Sequence, residues 1–581
     1  MGKFYTDEKN AQIIIALLKE HGIKKVIASP GTTNMALVVS MQFDPFFEVY
    51  SSVDERSAAY MACGLVAESG EPVVISCTGA TASRNYLPGL TEAYYRKLPV
   101  LTITSTQPIS SIGHNIAQVI DRSSLPTDIA NLSLTLPIVE NEQEKWDCEI
   151  KVNKAILELK RNGGGPVHIN LPTTYGTFET KELPIAHKIE RYELIDKMPR
   201  LLENDLIAIF IGAHVKMSNE LTLSIEKFCE KNNAVVFCDH TSGYYGNYRI
   251  LGSILGGQSM GLSNFKRPDL VIHIGEVTGD YYSSPLIRNK VWRVSPDGEI
   301  KDTFKKLIKV FQMDEASFFN YYAINGLNMS KNTYFPLCTN KIEELRSKLP
   351  EIPFSNIWIA SMMAHLIPQK STIHFAILNS LRSWNFFELP KSVESSSNVG
   401  GFGIDGCMST LIGASLTNKE KLYFSVIGDL AFFYDMNVLG NRHVGNNLRI
   451  LMINNGVGTE FRQYNHRASE FGNSADAFVA ASGHYGQKSP KLVKNYAENL
   501  GFEYLTASNK KEFTDVYKRF LESDITEKSM FFEVFTENEK ESYALERMLN
   551  IEENVKGKAV KVATQLIGKK GIKGLKGIIG K

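Results

Sequence analysis

The stretch LYFSVIGDLAFFYDMNVLGNRHVGNNLRILMINN, residues 422–455, contains two buried-strand patterns that each end in polar residues. The apolar run LYFSVI leads to Asp429, and the run LRILMIN leads to Asn455, twenty-six positions later. The carboxyl ends of adjacent parallel strands lie at one edge of a sheet, where open α/β folds bind their ligands. The stretch therefore predicts a parallel sheet with a carboxylate and an amide oxygen side by side at its edge.

These two oxygens suit a small hard cation. Mg²⁺ takes few protein oxygens and fills its remaining positions with phosphate and water. A helix predicted to begin near Ala431 points its N-terminus at the same edge and favours an anion there. The alternative is a turn aspartate and a strand-end asparagine without a ligand, but the spacing and the flanking strands favour the ligand site.

Strand and helix patterns alternate along the rest of the 581 residues, with Gly or Pro at the junctions. Such alternation indicates parallel sheets covered by helices on both faces. We predict three α/β domains, residues 1–180, 195–335 and 350–545, followed by a basic tail at 551–581. The contents of 43% apolar and 22% charged residues exclude a disordered chain. No apolar run approaches the roughly 18–20 residues of a membrane span.

Charge and cysteine content exclude further classes of protein. The segment from Lys556 to Lys581 carries eight lysines and no acid, so the net charge of +1 becomes −7 without them. A mildly acidic body excludes nucleic acid as a partner. The seven cysteines are scattered without a CxxC pair, which predicts reduced, buried thiols in a cytoplasmic protein.

The motif GDL at 428–430, followed by NN at 454–455, resembles the diphosphate-binding fingerprint of thiamine-diphosphate-dependent enzymes. The resemblance covers about residues 1–540 and implies pyrimidine-binding, central and diphosphate-binding domains, in that order. YD at 434–435 and GIDG at 403–406 are most similar to the branch of SEPHCHC synthases, in which leucine likewise replaces the last glycine of GDG.

The resemblance implies a set of cofactor contacts. Asp429, Asn455 and the carbonyl of Val457 would bind Mg²⁺. Ile404 would support the bent cofactor, and the backbone of Phe402 would accept a hydrogen bond from its aminopyrimidine. The implied cofactor-binding residues are Gly31, Thr32, Glu55, Asn379, Ser380, Phe402, Ile404, Gly428, Asp429, Leu430 and Asn455.

Glu55 stands at a strand-to-helix junction in the segment VDER. In the family, a glutamate at this place bonds the pyrimidine nitrogen N1′ and so promotes formation of the reactive ylid. We expect this carboxyl group to be buried in an apolar pocket. Taken alone, Glu55 is a helix N-terminal acid favoured by the helix dipole; beside the Mg²⁺ motif, the catalytic interpretation is preferred.

Gln118 is the second predicted catalytic residue and lies 63 positions after Glu55. The family tends to place glutamine here in carboligases and a histidine pair in simple decarboxylases. In the segment SPGTTN, Gly31 permits a close approach of the backbone. Thr32 and Thr33 either cap the following helix, which is the default, or contact the ligand.

This chain departs from SEPHCHC synthases at four substrate arginines, whose positions hold Thr33, Gln107, Trp384 and Val399. A hydrogen bond to a charged group contributes about 1.5–3 kcal/mol. We therefore expect no useful affinity for 2-oxoglutarate or isochorismate, and a small donor such as pyruvate. Arg462, His466, Arg467 and His484 follow the Mg²⁺ loop and either face the substrate or are solvated loop charges.

Together these features predict a thiamine-diphosphate- and Mg²⁺-dependent enzyme that decarboxylates a small 2-oxo acid and transfers the acyl carbanion to an aldehyde or ketone. One alternative is a decarboxylase that releases an aldehyde, which Gln118 disfavours. Another is a silent scaffold, which the intact Glu55, Asp429 and Asn455 disfavour. The resemblance implies a homodimer or homotetramer, because the family forms its active site between subunits. Residues 206–212 lack GxGxxG, so neither FAD nor NAD is inferred.

The basic tail allows three interpretations. Its isoleucines and leucines recur at helical spacing among the lysines, as in helices that lie on anionic membranes. Four glycines after Leu566 weaken a helix by about 1 kcal/mol each, which favours a disordered extension. The apolar face can also pack across a subunit interface.

Overall fold

The structure is a computed structural model, which describes residues 4–552 apart from 123, 187, 189–197, 204, 259–264, 298–300, 302, 305 and 485–487. It contains three six-stranded sheets in which all strand pairs are parallel. This confirms the predicted α/β class. From residue 553 onwards, the predicted amphipathic tail lies outside the residues that the structure describes.

The first sheet has the strand order β2-β1-β3-β4-β6-β5. Its strands are β1 (Lys25–Ala28), β2 (Glu48–Ser51), β3 (Val73–Thr78), β4 (Val100–Thr106), β5 (Leu132–Thr135) and β6 (Val167–Pro172). Its helices are α1 (Lys9–Glu20), α2 (Met35–Phe43), α3 (Glu55–Ser69), α4 (Thr81–Asn85), α5 (Leu87–Tyr95) and α6 (Glu142–Glu158).

The second sheet has the order β12-β11-β10-β7-β8-β9. Its strands are β7 (Ile207–Ile211), β8 (Ala234–Cys238), β9 (Arg249–Leu251), β10 (Leu270–Ile274), β11 (Lys290–Val294) and β12 (Leu307–Phe311). Its helices are α7 (Asn219–Lys231), α8 (Ser253–Gly256), α9 (Glu315–Asn325) and α10 (Tyr334–Ser347). Helix α10 packs against β8.

The third sheet has the order β14-β13-β15-β16-β18-β17. Its strands are β13 (Thr372–Phe375), β14 (Glu394–Ser397), β15 (Tyr423–Gly428), β16 (Leu448–Asn454), β17 (Glu503–Ala507) and β18 (Met530–Phe535). Its helices are α11 (Asn356–Met363), α12 (Asn379–Trp384), α13 (Cys407–Ser415), α14 (Asp429–Asp435), α15 (Leu492–Asn499), α16 (Lys510–Phe520) and α17 (Asn538–Leu549).

Each sheet lies within one predicted domain range, while the boundaries themselves stay predictions. The sequence patterns miss β5, β9, β12, β14 and β17, which are all edge strands. An edge strand has one neighbour and tolerates polar residues, as in the ESSS of β14, so its pattern is weak. The central strand β18, MFFEVF, also went unassigned although it is buried and apolar.

Helices α3 and α13 bind the first sheet to the third through the close approach of two glycines. A Cβ on Gly64 would lie 1.7 Å from the carbonyl oxygen of Thr410, and one on Gly413 would lie 1.9 Å from that of Met61. Beside this crossing, the Tyr60 hydroxyl donates to Asp405 across 2.8 Å. The close contact fixes how the edges of the two sheets face each other.

All seven cysteines are buried free thiols, as predicted. Among the described residues, none of the helices combines the length and the apolar character that crossing a membrane would require.

We expect Gly64→Ala to lower the free energy of unfolding by about 3 kcal/mol or more, because the added methyl group meets backbone atoms that cannot move aside. Thermal and urea denaturation measure the loss. The matched control is Gly440→Ala, since a Cβ at Gly440 meets nothing within 4 Å. Equal stability of the two variants would show that the α3–α13 crossing is not tightly packed.

Candidate active site

Asp429 and Asn455 follow neighbouring strands of the third sheet and lie together at the carboxyl-end edge of that sheet, as the sequence predicts. The register pairs Gly428 of β15 with Ile453 of β16. Asp429 Oδ2 accepts a hydrogen bond from the Gly456 N–H at 2.8 Å. Helix α14 begins at Asp429 itself, two residues earlier than expected, which places the carboxylate in the first helical turn.

The oxygens at this edge form a donor set suited to Mg²⁺. The Asp429 carboxyl is buried, and burial raises its pKa to about 6, against the lowering effect of the Gly456 N–H. The Asn455 amide oxygen accepts from the Val457 N–H at 3.2 Å. One carboxylate, one amide and the Val457 carbonyl are the hard oxygen ligands that Mg²⁺ prefers, so the residues fit this cation.

Asn379 opens α12 beside the same edge and is held by the loop that follows β16. Its side-chain amide accepts from the Glu460 N–H at 2.9 Å and donates to Glu460 Oε2 at 3.1 Å. The preceding Leu378 has a φ of 69°, which is strained for a branched side chain. Such strain concentrates at functional sites. Ser380 is buried next to Asn379.

Arg382, Tyr281 and Phe402 form a stack on this side of the third sheet. The Arg382 guanidinium lies 4.6 Å from the Tyr281 ring centroid and pairs with Glu460 at 2.5 Å. The Tyr281 ring is nearly parallel to that of Phe402, with centroids 6.0 Å apart. The Phe402 backbone has a φ of 54°. Half-buried Ile404, two residues later, packs against the apolar core.

Glu55 lies at the edge of the first sheet, at the first residue of α3. Its Oε2 accepts a hydrogen bond from Asn85 Nδ2 at 3.0 Å. Asp54 caps the helix by accepting from the Ser57 N–H. The expectation of a buried Glu55 is wrong for the isolated chain, where the residue is half-buried.

Gly31 lies between β1 and α2, where β3 comes close. A Cβ at this position would lie 2.0 Å from Thr78 Cγ2, so only glycine fits. The capping interpretation of Thr32 and Thr33 is wrong. Helix α2 has no side-chain cap, and the Thr33 hydroxyl donates to the Ser105 carbonyl at 2.8 Å instead. Thr32 is exposed beside Gly31.

Gln118 lies in an exposed loop after β4, with a φ of 64°. His114 is exposed in the same loop. The structure therefore places Gln118 on the first domain but gives it no contact with Glu55.

Sequence reasoning missed two buried charged residues of the first domain. Arg122 is buried, with its guanidinium against Gly79. Glu92 is fully buried in α5, and its Oε2 accepts from the Gly401 N–H of the third domain at 2.7 Å. Burial raises the pKa of Glu92 to about 7, against the effect of neighbouring Arg96. The signal in the sequence was a charged residue, an acid in one case and a base in the other, among apolar residues. Hydrophobic periodicity alone gives such a residue no role.

At four positions this chain lacks an arginine that the family has, and three of these positions are buried. Trp384 and Val399 are both 0% exposed, and the Trp384 indole N–H donates to Asn356. With no exposed surface, these two residues belong to the core. Thr33 is buried as well, whereas Gln107 is half-buried.

Two of the four charged residues after the predicted Mg²⁺ loop are held by their own segment. Arg462 donates to Asn473 at 2.9 Å, and His466 Nδ1 accepts from the Ala468 N–H at 3.0 Å. Arg467 and His484 are exposed. Arg462 and His466 therefore fit the interpretation as local loop contacts.

Comparisons with known proteins agree with this geometry. Residues 8–125 match the family model described as thiamine pyrophosphate enzyme, N-terminal TPP binding domain. A 2-succinyl-5-enolpyruvyl-6-hydroxy-3-cyclohexene-1-carboxylate (SEPHCHC) synthase of Bacteroides fragilis is 31% identical over 568 residues, covering 93% of this chain and 98% of the relative. The protein of the same name from Bacteroides thetaiotaomicron is 29% identical, with the same coverage.

A solved structure shows the same fold. The thiamine diphosphate-dependent 4-hydroxybenzoylformate decarboxylase of Rhodococcus jostii RHA1 aligns with a TM-score of 0.64 at 14% identity, covering 91% of this chain and 99% of that one. The near-complete coverage extends the likeness over all three domains. The chain therefore belongs to the superfamily of thiamine-diphosphate-dependent enzymes, in the sequence family of the SEPHCHC synthases.

Proposed function

We propose that the protein uses thiamine diphosphate and Mg²⁺ to decarboxylate a small 2-oxo acid and to join the remaining acyl unit to an aldehyde or ketone. The bond between the carboxylate and the carbonyl carbon breaks and releases CO₂. A new carbon–carbon bond forms to the acceptor, whose carbonyl oxygen takes up one proton. The overall reaction needs no oxidant or reductant.

The observation that carries this proposal is the donor set at the edge of the third sheet. Asp429, Asn455 and the Val457 carbonyl would hold Mg²⁺, which in turn would bind the diphosphate. Thiamine diphosphate, when bound, supplies a carbon nucleophile and an electron sink for the loss of CO₂.

Glu55 would contribute proton chemistry at the edge of the first sheet. Its carboxyl group would be the acid–base group at this edge. A hydrogen bond of 3.0 Å from Asn85 fixes one of its oxygens. The other oxygen is then available to a ligand. A carboxyl group held in this way can exchange a proton with the pyrimidine ring of the cofactor.

Gln118 and the names of the relatives support ligation over simple decarboxylation. The two Bacteroides relatives are named as synthases. The alternative, release of an aldehyde, has the Rhodococcus decarboxylase as a structural neighbour, but at 14% identity this neighbour speaks for the fold alone. A silent scaffold is disfavoured because Glu55, Asp429 and Asn455 all keep positions at sheet edges.

We further propose a homodimer or homotetramer in the cytoplasm. Glu55 and Asp429 lie on different sheets, and half-buried Glu55 has an outer face that a second copy can cover. The buried free thiols suit a reducing compartment. No nucleic acid is proposed as a partner, and peripheral membrane contact through residues 551–581 stays a hypothesis.

Asp429→Ala should abolish the rise in melting temperature that thiamine diphosphate and Mg²⁺ together cause in the wild type, because the cation loses its carboxylate. A ligand at 100 times its Kd stabilises by about 2.7 kcal/mol, which is a readily measured shift. The control is Asp515→Ala, on the exposed face of α16. An undiminished rise in Asp429→Ala would place the cation elsewhere.

Glu55→Gln should keep the cofactor-induced rise in melting temperature but lose activity by about 10²–10⁴-fold, because the amide still accepts from Asn85 but cannot exchange a proton. Steady-state turnover and thermal shift measure the two effects separately. Asp54→Asn is the matched control at the same helix end, since it preserves the cap. Activity of Glu55→Gln within a few-fold of the wild type would refute the assignment.

Incubation of the holoenzyme with 2-oxo acids should give CO₂ and a hydroxyketone in equal amounts when an aldehyde or ketone is present. Product analysis by mass spectrometry distinguishes this outcome from aldehyde release. If free aldehyde forms at the same rate with and without an acceptor, the protein is a simple decarboxylase.

A further inference from the structure

Arg122 is a buried cation without a counterion. Its side chain is 4% exposed, and Nη1 has no hydrogen-bond partner. No acid among the described residues forms an ion pair with its guanidinium. The charged and ionisable groups that act on it are the Arg84 guanidinium and the Cys77 thiol.

The surroundings of Arg122 suit an anion. Burial and the nearby charge of Arg84 lower the pKa of Arg122 to about 10. Burial raises the pKa of the Cys77 thiol to about 12, so this neighbour stays neutral. The Arg84 guanidinium is therefore a second positive charge that acts on Arg122, and an entering anion would be stabilised by both.

The backbone around Arg122 leaves room for its guanidinium only because residue 79 is glycine. A Cβ on Gly79 would lie 2.5 Å from Nη1 and 2.8 Å from Nη2. Gly79 follows β3, next to the strand that leads to Gly31. The guanidinium thus lies over the carboxyl edge of the first sheet, where ligands bind in parallel α/β folds.

A short path connects Arg122 to the candidate catalytic carboxyl group. Arg84 Nη2 donates to the carbonyl of Asp121, the residue before Arg122, at 2.9 Å. Asn85, the neighbour of Arg84 in α4, donates to Glu55. Asn85 is exposed and Arg84 is half-buried, so these two neighbours lie between the solvent and the buried Arg122 guanidinium.

A buried, unpaired cation needs an explanation, because leaving it without a partner is costly. The planar guanidinium group matches a carboxylate in two parallel hydrogen bonds. In the sequence register with the family, this chain has Thr33 and Gln107 at two positions of this edge where the family has arginine. Arg122 brings a guanidinium to the same edge from a different position.

We propose that Arg122, assisted by Arg84, binds a substrate carboxylate at the edge of the first sheet. The inference rests on the proposed function and names its substrate class, a substrate whose carboxylate remains in the product. The carboxylate that leaves as CO₂ is a poor candidate, since binding it tightly would stabilise the ground state and slow its loss. The retained carboxylate belongs either to the far end of the donor or to the acceptor.

Steady-state kinetics of Arg122→Gln and Arg122→Lys holoenzymes test the proposal. The donors are 2-oxoglutarate, with a second carboxylate, and pyruvate, without one. The acceptors are glyoxylate, with a carboxylate, and acetaldehyde, without one. We expect Arg122→Gln to raise KM for one of the two carboxylate-bearing substrates by about 10- to 100-fold, as for a lost charged hydrogen bond.

The two arms identify the source of the carboxylate. A rise confined to 2-oxoglutarate assigns the donor, and a rise confined to glyoxylate assigns the acceptor. Arg122→Lys should recover part of the loss, and the exposed control Arg161→Gln should match the wild type. A KM unchanged in both arms overturns the proposal, as does a loss of kcat alone.

A binding measurement separates this proposal from the proposed function. Succinate, titrated calorimetrically into the wild-type holoenzyme, should bind more tightly than its uncharged diamide, and Arg122→Gln should remove the difference. This result holds even if the wild type turns over none of the substrates, which would refute the reaction alone. Size-exclusion chromatography tests the competing case, in which the Arg122 guanidinium pairs with an acid of a second copy. Dissociation of Arg122→Gln into monomers, with succinate binding unchanged, would establish this case and overturn the proposal.

Discussion

The parallel pairing of β15 with β16 is the constraint on which the candidate site depends. Their register sets Gly428 opposite Ile453, so Asp429 is level with Asn454, and Asn455 follows one position later at the same end of the sheet. The Gly456 N–H then ties the loop to the carboxylate. A shift of one residue would turn one of these side chains to the other face of the sheet. Strand hydrogen bonding thus decides where the proposed cation ligands lie.

Contacts between domains bring the remaining parts into place. Helices α3 and α13 approach so closely that Gly64 and Gly413 leave no space for a side chain. Helix α3 begins at Glu55, and α13 follows the loop that holds Phe402 and Ile404. Buried Glu92 crosses between the same two domains to the Gly401 N–H, one residue before Phe402. The crossing therefore sets the position of the candidate catalytic carboxyl group and of the predicted cofactor loop together.

The distribution of buried cations bears on which substrate the site accepts. Arg382 is neutralised by Glu460 and stacked on Tyr281, so it serves to hold the loop after β16. Among the described residues, Arg122 has no such partner. Two buried arginines near two sheet edges thus have different roles, and the difference lies in whether an acid is close. In the proposed role, Arg122 recognises substrate from a sequence position that differs from those of the family's arginines.

The sequence by itself determined the α/β class, the three parallel sheets and the residues at the ends of β15 and β16, because apolar runs and the residues that end them are local features. It also indicated Gly31 and Glu55 at junctions of the first sheet. Only the tertiary structure decided that Trp384 and Val399 lie in the core and that the Thr33 hydroxyl donates to the end of β4. It also decided that Arg122 is buried without a counterion in the part of the chain that the structure describes. These properties depend on contacts between residues far apart in the chain, which spacing and periodicity do not encode.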